Sequence, residues 1–572
     1  MAKLIYGDGR EVGGGTASLD EVNYKLDQIH DLVAGMNSSD GDNTDNLIEV
    51  TFIYRDRLTG KEKAINQYYN KGEDAKFPTD VGDVVETEDN PALTFQEWNH
   101  TSEELKNIQH DFVVGATYIP TDGKTYIYLD LDDYTGLTTA ITTYNLSADR
   151  QWYIDWGDGS PIQSTTTNIT LVNKTYETYG RKVIKVWLNS EPNNRCWLGF
   201  GRNIFNENNS GPRSAQLKHV YIGAGFNEYS TIADRCQRFE SITIPNNIKS
   251  LGMAQETFYN VPVKYFTLPR SIDTMHLGAE FTFAAPIAEY YSLPISLPLN
   301  ITIRVTNCYK LKKFVMPYVV DDRVLMLLGN NCVELTRFYF RPDMVFRTNT
   351  TGGGGSTTTA LNFPSVKKLD LSRAKFNNAD DVSILPSNTI DMASLEELVL
   401  PEGITQMFNT SIRNCFSLKR IKLPDSVEEI TTPIDSACSS LQEVEVGKGI
   451  VHLSSRLIGG WNSVEQLRRL RLPDTIETID NNMLNSDFTR ALLLEFPASI
   501  QSIGNSNLNG IWLQEVICRS IIPPTLGTQS TNAGVLFYVP DDSVQAYRDA
   551  TNWSAYGNRI RPLSEYRGNY EN

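Results

Sequence analysis

Through the second half of the chain, apolar positions recur in one short phrase. Residues 418–430 read LKRIKLPDSVEEI, 395–404 read LEELVLPEGI, and 467–479 read LRRLRLPDTIETI. In the first of these, Leu418, Ile421 and Leu423 are expected to turn inward while Lys419, Arg420 and Lys422 face water. The proline cannot donate to a sheet ladder and ends the strand. Val427 and Ile430 then return to the core. Further copies start at LKHVYIG (217), FESITIP (239), VKYFTLP (263), IAEYYSLP (287), LKKFVMP (311), LTRFYF (335), VKKLDLS (366), LQEVEVG (441), ALLLEFP (491) and LQEVICR (513), mostly 22–26 residues apart. One such coil cannot bury its apolar side alone, whereas stacked coils share one long core. The pattern therefore predicts a solenoid. The segment TGGGGSTTT (351–359) falls in the longest step and reads as a loop on one face.

Upstream the period changes. Leu19, Val22, Leu26, Ile29 and Val33 follow the 3-4-3-4 spacing of a coiled-coil seam. Ser18 and Glu21 fit a capping box and Gly35 a helix stop. Two heptads do not hold a helix alone in water. These five residues are therefore candidates for oligomerisation or docking, with packing on a neighbouring domain as the plainer alternative. A glycine-rich arm precedes the helix, and the polar linker MNSSDGDNTDN (36–46) follows it.

Residues 47–119 predict a small β unit. Ile48, Val50, Phe52 and Tyr54 alternate in LIEVTFIYRD, and FPTD, LTFQEWN and DFVVGATYIP follow. Phe95, Trp98, Ala116 and Tyr118 stand where the internalin-type B repeat has its F-x-x-W and A-x-Y strands. The resemblance implies a β-grasp-like spacer without an active site. Residues 120–200 carry WYIDWGDGSP (152–161) and TYETYGRKVIKVWL (175–188), a pattern that resembles the PKD domain, an immunoglobulin-like sandwich. Asp158-Gly159 supplies a hairpin turn. A calcium site there is the weaker alternative, because Ca²⁺ needs six to eight oxygens.

The array at 201–536 resembles the BspA-type leucine-rich repeat. FYVPDDSVQAYRDATNWSAYGNRIRPL opens the last segment (537–572) and resembles the usual end of such arrays. There Val539, Val544, Tyr547, Trp553, Tyr556 and Ile560 would seal the core. The PKD-like unit would close the first coil. The expected fold is thus mainly β and multidomain: arm and helix (1–46), B-repeat-like unit (47–119), PKD-like sandwich (120–200), solenoid and cap.

Charge narrows the partners. The 572 residues carry 52 basic and 69 acidic side chains, a net charge of −17. Such a surface repels phosphates, which argues against nucleic acid. No apolar run approaches the ~20 residues of a membrane span, and the first thirty residues lack the pattern of a secretory signal. Of seven cysteines, Cys236, Cys308, Cys332, Cys415 and Cys438 each precede the phrase's first apolar position by three residues. A stacked column of reduced thiols fits best, ahead of disulfides or a metal.

Candidate chemistry is sparse. The histidines are scattered, and no HExxH, GxSxG or GxxxxGKS motif is present. GDGREVGGG has glycines but no phosphate-binding lysine. No catalytic, cofactor-binding or metal-ligating residue is therefore singled out. Surface modules without an export signal suggest release by lysis, as for a bacteriophage fibre. Its expected partners are itself, as dimer or trimer, virion head or tail proteins through the N-terminus, and a host glycan or protein through the repeats. A bacterial surface adhesin is the alternative, and a glycan-processing enzyme a more distant one.

Overall fold

The computed structural model describes residues 47–145, 151–165, 169–189, 196–201, 212–225, 227–229, 232–234, 236–251, 258–259, 261–272, 274–275, 280–297, 302–319, 326–339, 345–347, 359–377, 382–459, 467–484, 492–509, 513–531 and 533–568. Leu19, Val22, Leu26, Ile29 and Val33, with residues 351–358, lie outside the described residues. The described chain is mainly β, and its one described α-helix spans Val544–Asp549.

From residue 217 the chain winds as a three-sided solenoid. The first side carries the strand of each repeated phrase, for example Arg420–Lys422, Glu443–Glu445 and Arg469–Arg471, paired in that order. The second carries strands such as Ile384–Leu385, Gln406–Met407 and Glu429–Ile430. The third is a 9-stranded sheet from Phe258–Tyr259 to Ile458–Gly459. All these pairings are parallel, and their register explains the repeat. Ile421 stands beside Val444, and Val444 beside Leu470. Each inward position therefore stacks on its equivalent one coil away. Leu418, Ile421, Leu423 and Val427 are buried, while Lys419, Arg420 and Lys422 are exposed. One contiguous apolar core runs from Ile127 to Ile560. Burying one such side chain stabilises by about 1.5–3 kcal/mol, so the shared core holds the coils together.

The column cysteines stand as buried thiols inside that core. Cys332 hydrogen-bonds Cys308, and Cys415 hydrogen-bonds Cys438. The neighbouring thiol, then burial, holds Cys332 and Cys415 well above the usual thiol range. They act as protonated fillers. Several corner positions with left-handed backbone carry asparagine, which tolerates it. Asn307 (φ 55°) and Asn331 (φ 60°) are two such corners, and Asn331 Nδ2 donates to Asn307 Oδ1 at 2.9 Å.

Strands β1 (Leu47–Arg55), β2 (Glu62–Asn70), β3 (Leu93–Trp98) and β4 (Phe112–Pro120) form a sheet in the order β2-β1-β4-β3. Phe95 stands opposite Tyr118 and Trp98 opposite Ala116. Phe77 stacks on Trp98 with ring centroids 5.3 Å apart. Next come β5 (Thr125–Leu131), β6 (Thr138–Asn145), β7 (Trp152–Asp155), β8 (Gln163–Thr165), β9 (Ile169–Thr175), β10 (Gly180–Leu188) and β11 (Cys196–Gly201), arranged in two sheets. The first coil strand, β12 (Leu217–Tyr221), pairs antiparallel with β5 on one side and parallel with Ser241–Thr243 on the other. The upstream sheet thus runs on into the first side of the solenoid and covers an edge that would otherwise lie open.

Alternation in β1 predicts a half-buried strand, yet six consecutive residues from Val50 to Arg55 include none that is exposed, and all but one position after Leu47 is buried. Both faces are covered. Phe52 and Tyr54 pack on Trp98. Ile53, with Val113 of β4, packs on Tyr265 and Tyr290 of the coils. Asn99 Nδ2 donates to the Leu268 carbonyl at 3.0 Å and to Ser292 Oγ at 2.9 Å. A spacer would stand clear of the coils; this sheet lies on their first side.

At the far end, Phe537 and Ile560 pair in the last strands. Val539, Tyr547, Trp553, Tyr556 and Ile560 are buried, with Val544 packed against them. Trp553 Nε1 donates to the Pro524 carbonyl at 2.8 Å, and Tyr547 Oη to the Ser520 carbonyl at 2.7 Å.

Candidate binding surfaces

The outward positions of the first side change character along the array. In the early coils they are His219, Ser241, Tyr265, Tyr290 and Lys313, none of them exposed. Later they are Lys368, Glu397, Arg420 and Arg469, all exposed. The change falls where the β1–β4 sheet stops covering the coils. From Lys368 to Arg471 this side is largely open, and it closes again in the last coils, where Glu515, Ile517 and Tyr538 are buried and Tyr538 meets the Tyr566 ring. Its charges alternate from coil to coil. Lys368 meets Glu397 at 3.3 Å, Arg420 meets Glu443 at 3.5 Å, and Arg471 meets Glu443 at 2.6 Å. Exposed pairs of this kind contribute about 0–1 kcal/mol each. Their larger consequence is that the open side is balanced in charge, with Val399 exposed within it.

A second feature lies where the three units meet. A cleft of about 420 Å³ is lined by Arg55 and Glu62 from the first sheet, by Tyr128 and Asp130 from β5, and by His219 and Glu240 from the first coils, among others. Arg55 Nη2 stands 2.9 Å from Glu62 Oε1, and Arg55 Nη1 donates to the Gly60 carbonyl at 2.9 Å. The guanidinium lies over the Tyr221 ring, 5.0 Å from its centroid. Burial raises the Glu62 carboxyl, against the opposing pull of Arg55. His219 Nδ1 lies 3.0 Å from Ser241 Oγ. Burial pushes that imidazole down to about 4, so it is neutral at pH 7.

This cleft has no sequence motif. Its residues come from segments far apart in the chain, and β pairing alone assembles them. The signal that could have pointed to it is the run of His, Ser, Thr and Tyr at early outward positions, where later coils carry Lys, Arg and Glu.

The candidate metal turn is occupied from within the protein. Asp158 Oδ2 lies 2.5 Å from Lys174 Nζ, and its Oδ1 accepts from the Ser160 backbone at 3.1 Å. Lys174, then Ser160, holds that carboxyl down to about 2. Gly157 (φ 69°) and Gly159 (φ 79°) supply the left-handed backbone of the turn. Among the described residues, no group of three or more His, Cys, Asp or Glu side chains could hold a metal. No described helix is long and apolar enough to cross a membrane.

Comparison with known proteins bears on the array. Residues 214–322, 368–489 and 436–523 match the family model described as BspA type Leucine rich repeat region, in 6 copies. These stretches are similar to BspA-type leucine-rich repeats. No curated protein matches the chain. Two solved structures are similar at low identity. A leucine-rich repeat protein from Bacteroides ovatus ATCC 8483 is 16% identical, with a TM-score of 0.31, covering 62% of this chain and 84% of that one. A leucine rich cell surface protein from Faecalibacterium prausnitzii A2-165 is 14% identical, with a TM-score of 0.18, covering 45% and 79%.

Proposed function

We propose that the protein is a non-enzymatic adhesion protein that presents its later coils to a cell surface. One observation carries this reading: the first side of the array is covered in the early coils and open between Lys368 and Arg471. Solenoids offer extended surfaces of this kind to partners. The open side is balanced in charge and mixed in character, which suits hydrogen-bonded contacts with a glycan or a protein. Its role is display rather than chemistry.

The finer reading is a bacteriophage fibre. In it the segment carrying Leu19, Val22, Leu26, Ile29 and Val33 docks on head or tail proteins and joins copies as a dimer or trimer. Several copies would add avidity to weak single contacts. The BspA-type repeats equally support the second reading, a bacterial surface adhesin. Immunogold electron microscopy of a lysate, with an antibody against the array, separates the two. Labelled projections on virions support the fibre. Labelled envelopes beside bare virions sink it and favour the adhesin.

A further inference from the structure

We infer that the cleft between the three units is a binding site for a neutral saccharide, one or two rings in size. Its volume of about 420 Å³ falls within the ~300–1,000 Å³ of clefts that hold small ligands, and junctions between units are where such clefts form.

Charge disfavours the commoner anionic ligands. Of the five lysines and arginines that line the cleft, all but Lys61 at the exposed rim already have a carboxylate. Arg55 meets Glu62 at 2.9 Å and Arg181 meets Asp89 at 2.8 Å. Lys264 meets Glu289 at 3.0 Å, and Lys218 pairs with Glu240. A phosphate or sulfate would have to break these pairs. His219, neutral at pH 7, adds no charge of its own.

What remains beside these pairs is polar. Tyr128 is 4% exposed as a residue, and it lines the cleft. Asp130 lies two residues further along β5, so both side chains leave the same face of the strand. Its carboxylate stands in no ion pair among the described residues and lines the same cleft. A phenol that can donate and a carboxylate that accepts therefore stand side by side. Adjacent hydroxyls of a sugar ring can accept from the first and donate to the second. Hydroxyls are also the groups that pair with Arg and Glu side chains already committed to each other, since each retains spare donors or lone pairs.

The inference does not depend on what particle carries the protein, and it does not use the open side of the later coils. The test is saturation-transfer NMR on the full chain, with glucose, galactose, mannose, N-acetylglucosamine and their disaccharides as probes. Glucose 6-phosphate serves as the anionic comparison. At least one neutral sugar is expected to receive saturation. Tyr128→Phe and Asp130→Asn are each expected to weaken it tenfold or more. Lys61→Trp, at the exposed rim, should block entry without touching a buried partner. Lys422→Ala on the open side should leave binding unchanged, so failure here would not count against the adhesion reading. The inference is overturned if no neutral sugar receives saturation. It is equally overturned if only the phosphorylated probe does, or if transfer survives all three cleft substitutions.

Discussion

Lys313, in the middle of the early coils, donates from Nζ to the Glu49 backbone carbonyl at 2.9 Å and stands 3.1 Å from the same residue's carboxylate. Its side chain is almost wholly buried, and burial depresses its pKa although Glu49 opposes the shift. Glu49 also meets Arg337 Nη1 at 3.2 Å, which reaches Asp111 at 2.9 Å. One residue of the first sheet thus neutralises a charge that the coils could not otherwise bury.

Removing the anion should be worse than removing the cation. Glu49→Ala leaves an ammonium group in a nearly closed site, and breaking a buried pair this way costs about 3–5 kcal/mol. Lys313→Met keeps the aliphatic stem and removes the charge, so it should cost much less. Urea unfolding of both variants checks the order. If Lys313→Met is the more damaging, the buried charge is not what couples sheet to coils.

Gly115 of β4 sits against the coils, where an added Cβ would meet Thr267 Cγ2 and Oγ1 at 2.3 Å. Glycine here is a matter of close approach rather than of turn geometry. Gly115→Ala should therefore destabilise by about 1–3 kcal/mol, the usual range for overpacking. Thr267→Ala removes the two closest atoms, leaving Cβ at 2.8 Å, and should restore part of the loss in the double variant. A double-mutant cycle by equilibrium unfolding reads that coupling directly. Strictly additive effects would mean that the two surfaces are not in contact.

The coils were legible in the sequence because their pattern is local. Leu418, Ile421 and Leu423 repeat within one phrase, and parallel stacking places them over Leu441, Val444 and Val446 without any further information. The lie of the first sheet was not legible. Asn99 and Ser292 meet across 193 residues, and Asn99 belongs to no periodic pattern. Lys313 shows the difficulty most clearly. In LKKFVMP it holds the position that Arg420 holds in LKRIKLP, yet it is buried while Arg420 is exposed. The same residue class at the same place in the phrase has opposite surroundings, because what covers it comes from a remote segment. The cleft shares that origin.

His219 gives the junction a pH signature. Its folded-state pKa of about 4 lies below the ordinary 6.5, chiefly through burial. Arg55 and Lys218 push the same way and Glu240 and Asp89 oppose them, each by less than burial does. As pH falls, the unfolded chain takes up the proton first. The contribution is therefore complete above pH 6.5 and is lost as pH falls toward about 4, reaching at most ~3 kcal/mol. His219→Gln should flatten this part of the stability profile. Unfolding midpoints at pH steps between 7 and 4 check it, and parallel profiles for variant and wild type would assign the acid sensitivity elsewhere.

The last coil has no neighbour to cover it, so its stability depends on the terminal cap. Trp553 is wholly buried, meets the Phe537 ring edge-on at 5.8 Å and the Tyr547 ring at 4.9 Å, and ties its indole nitrogen to the Pro524 carbonyl. Trp553→Ala removes the largest apolar side chain in this end of the core and leaves that carbonyl without its donor. Such truncations cost about 3–5 kcal/mol. Because each coil contacts only its neighbours, the loss should be felt as fraying from the end rather than as uniform weakening. Hydrogen exchange is the discriminating measurement. Amides in Leu536–Val539 and Glu515–Cys518 should lose protection well before those in Arg420–Lys422. Equal loss along the whole array would mean that the coils unfold as one unit and that the cap does not act locally.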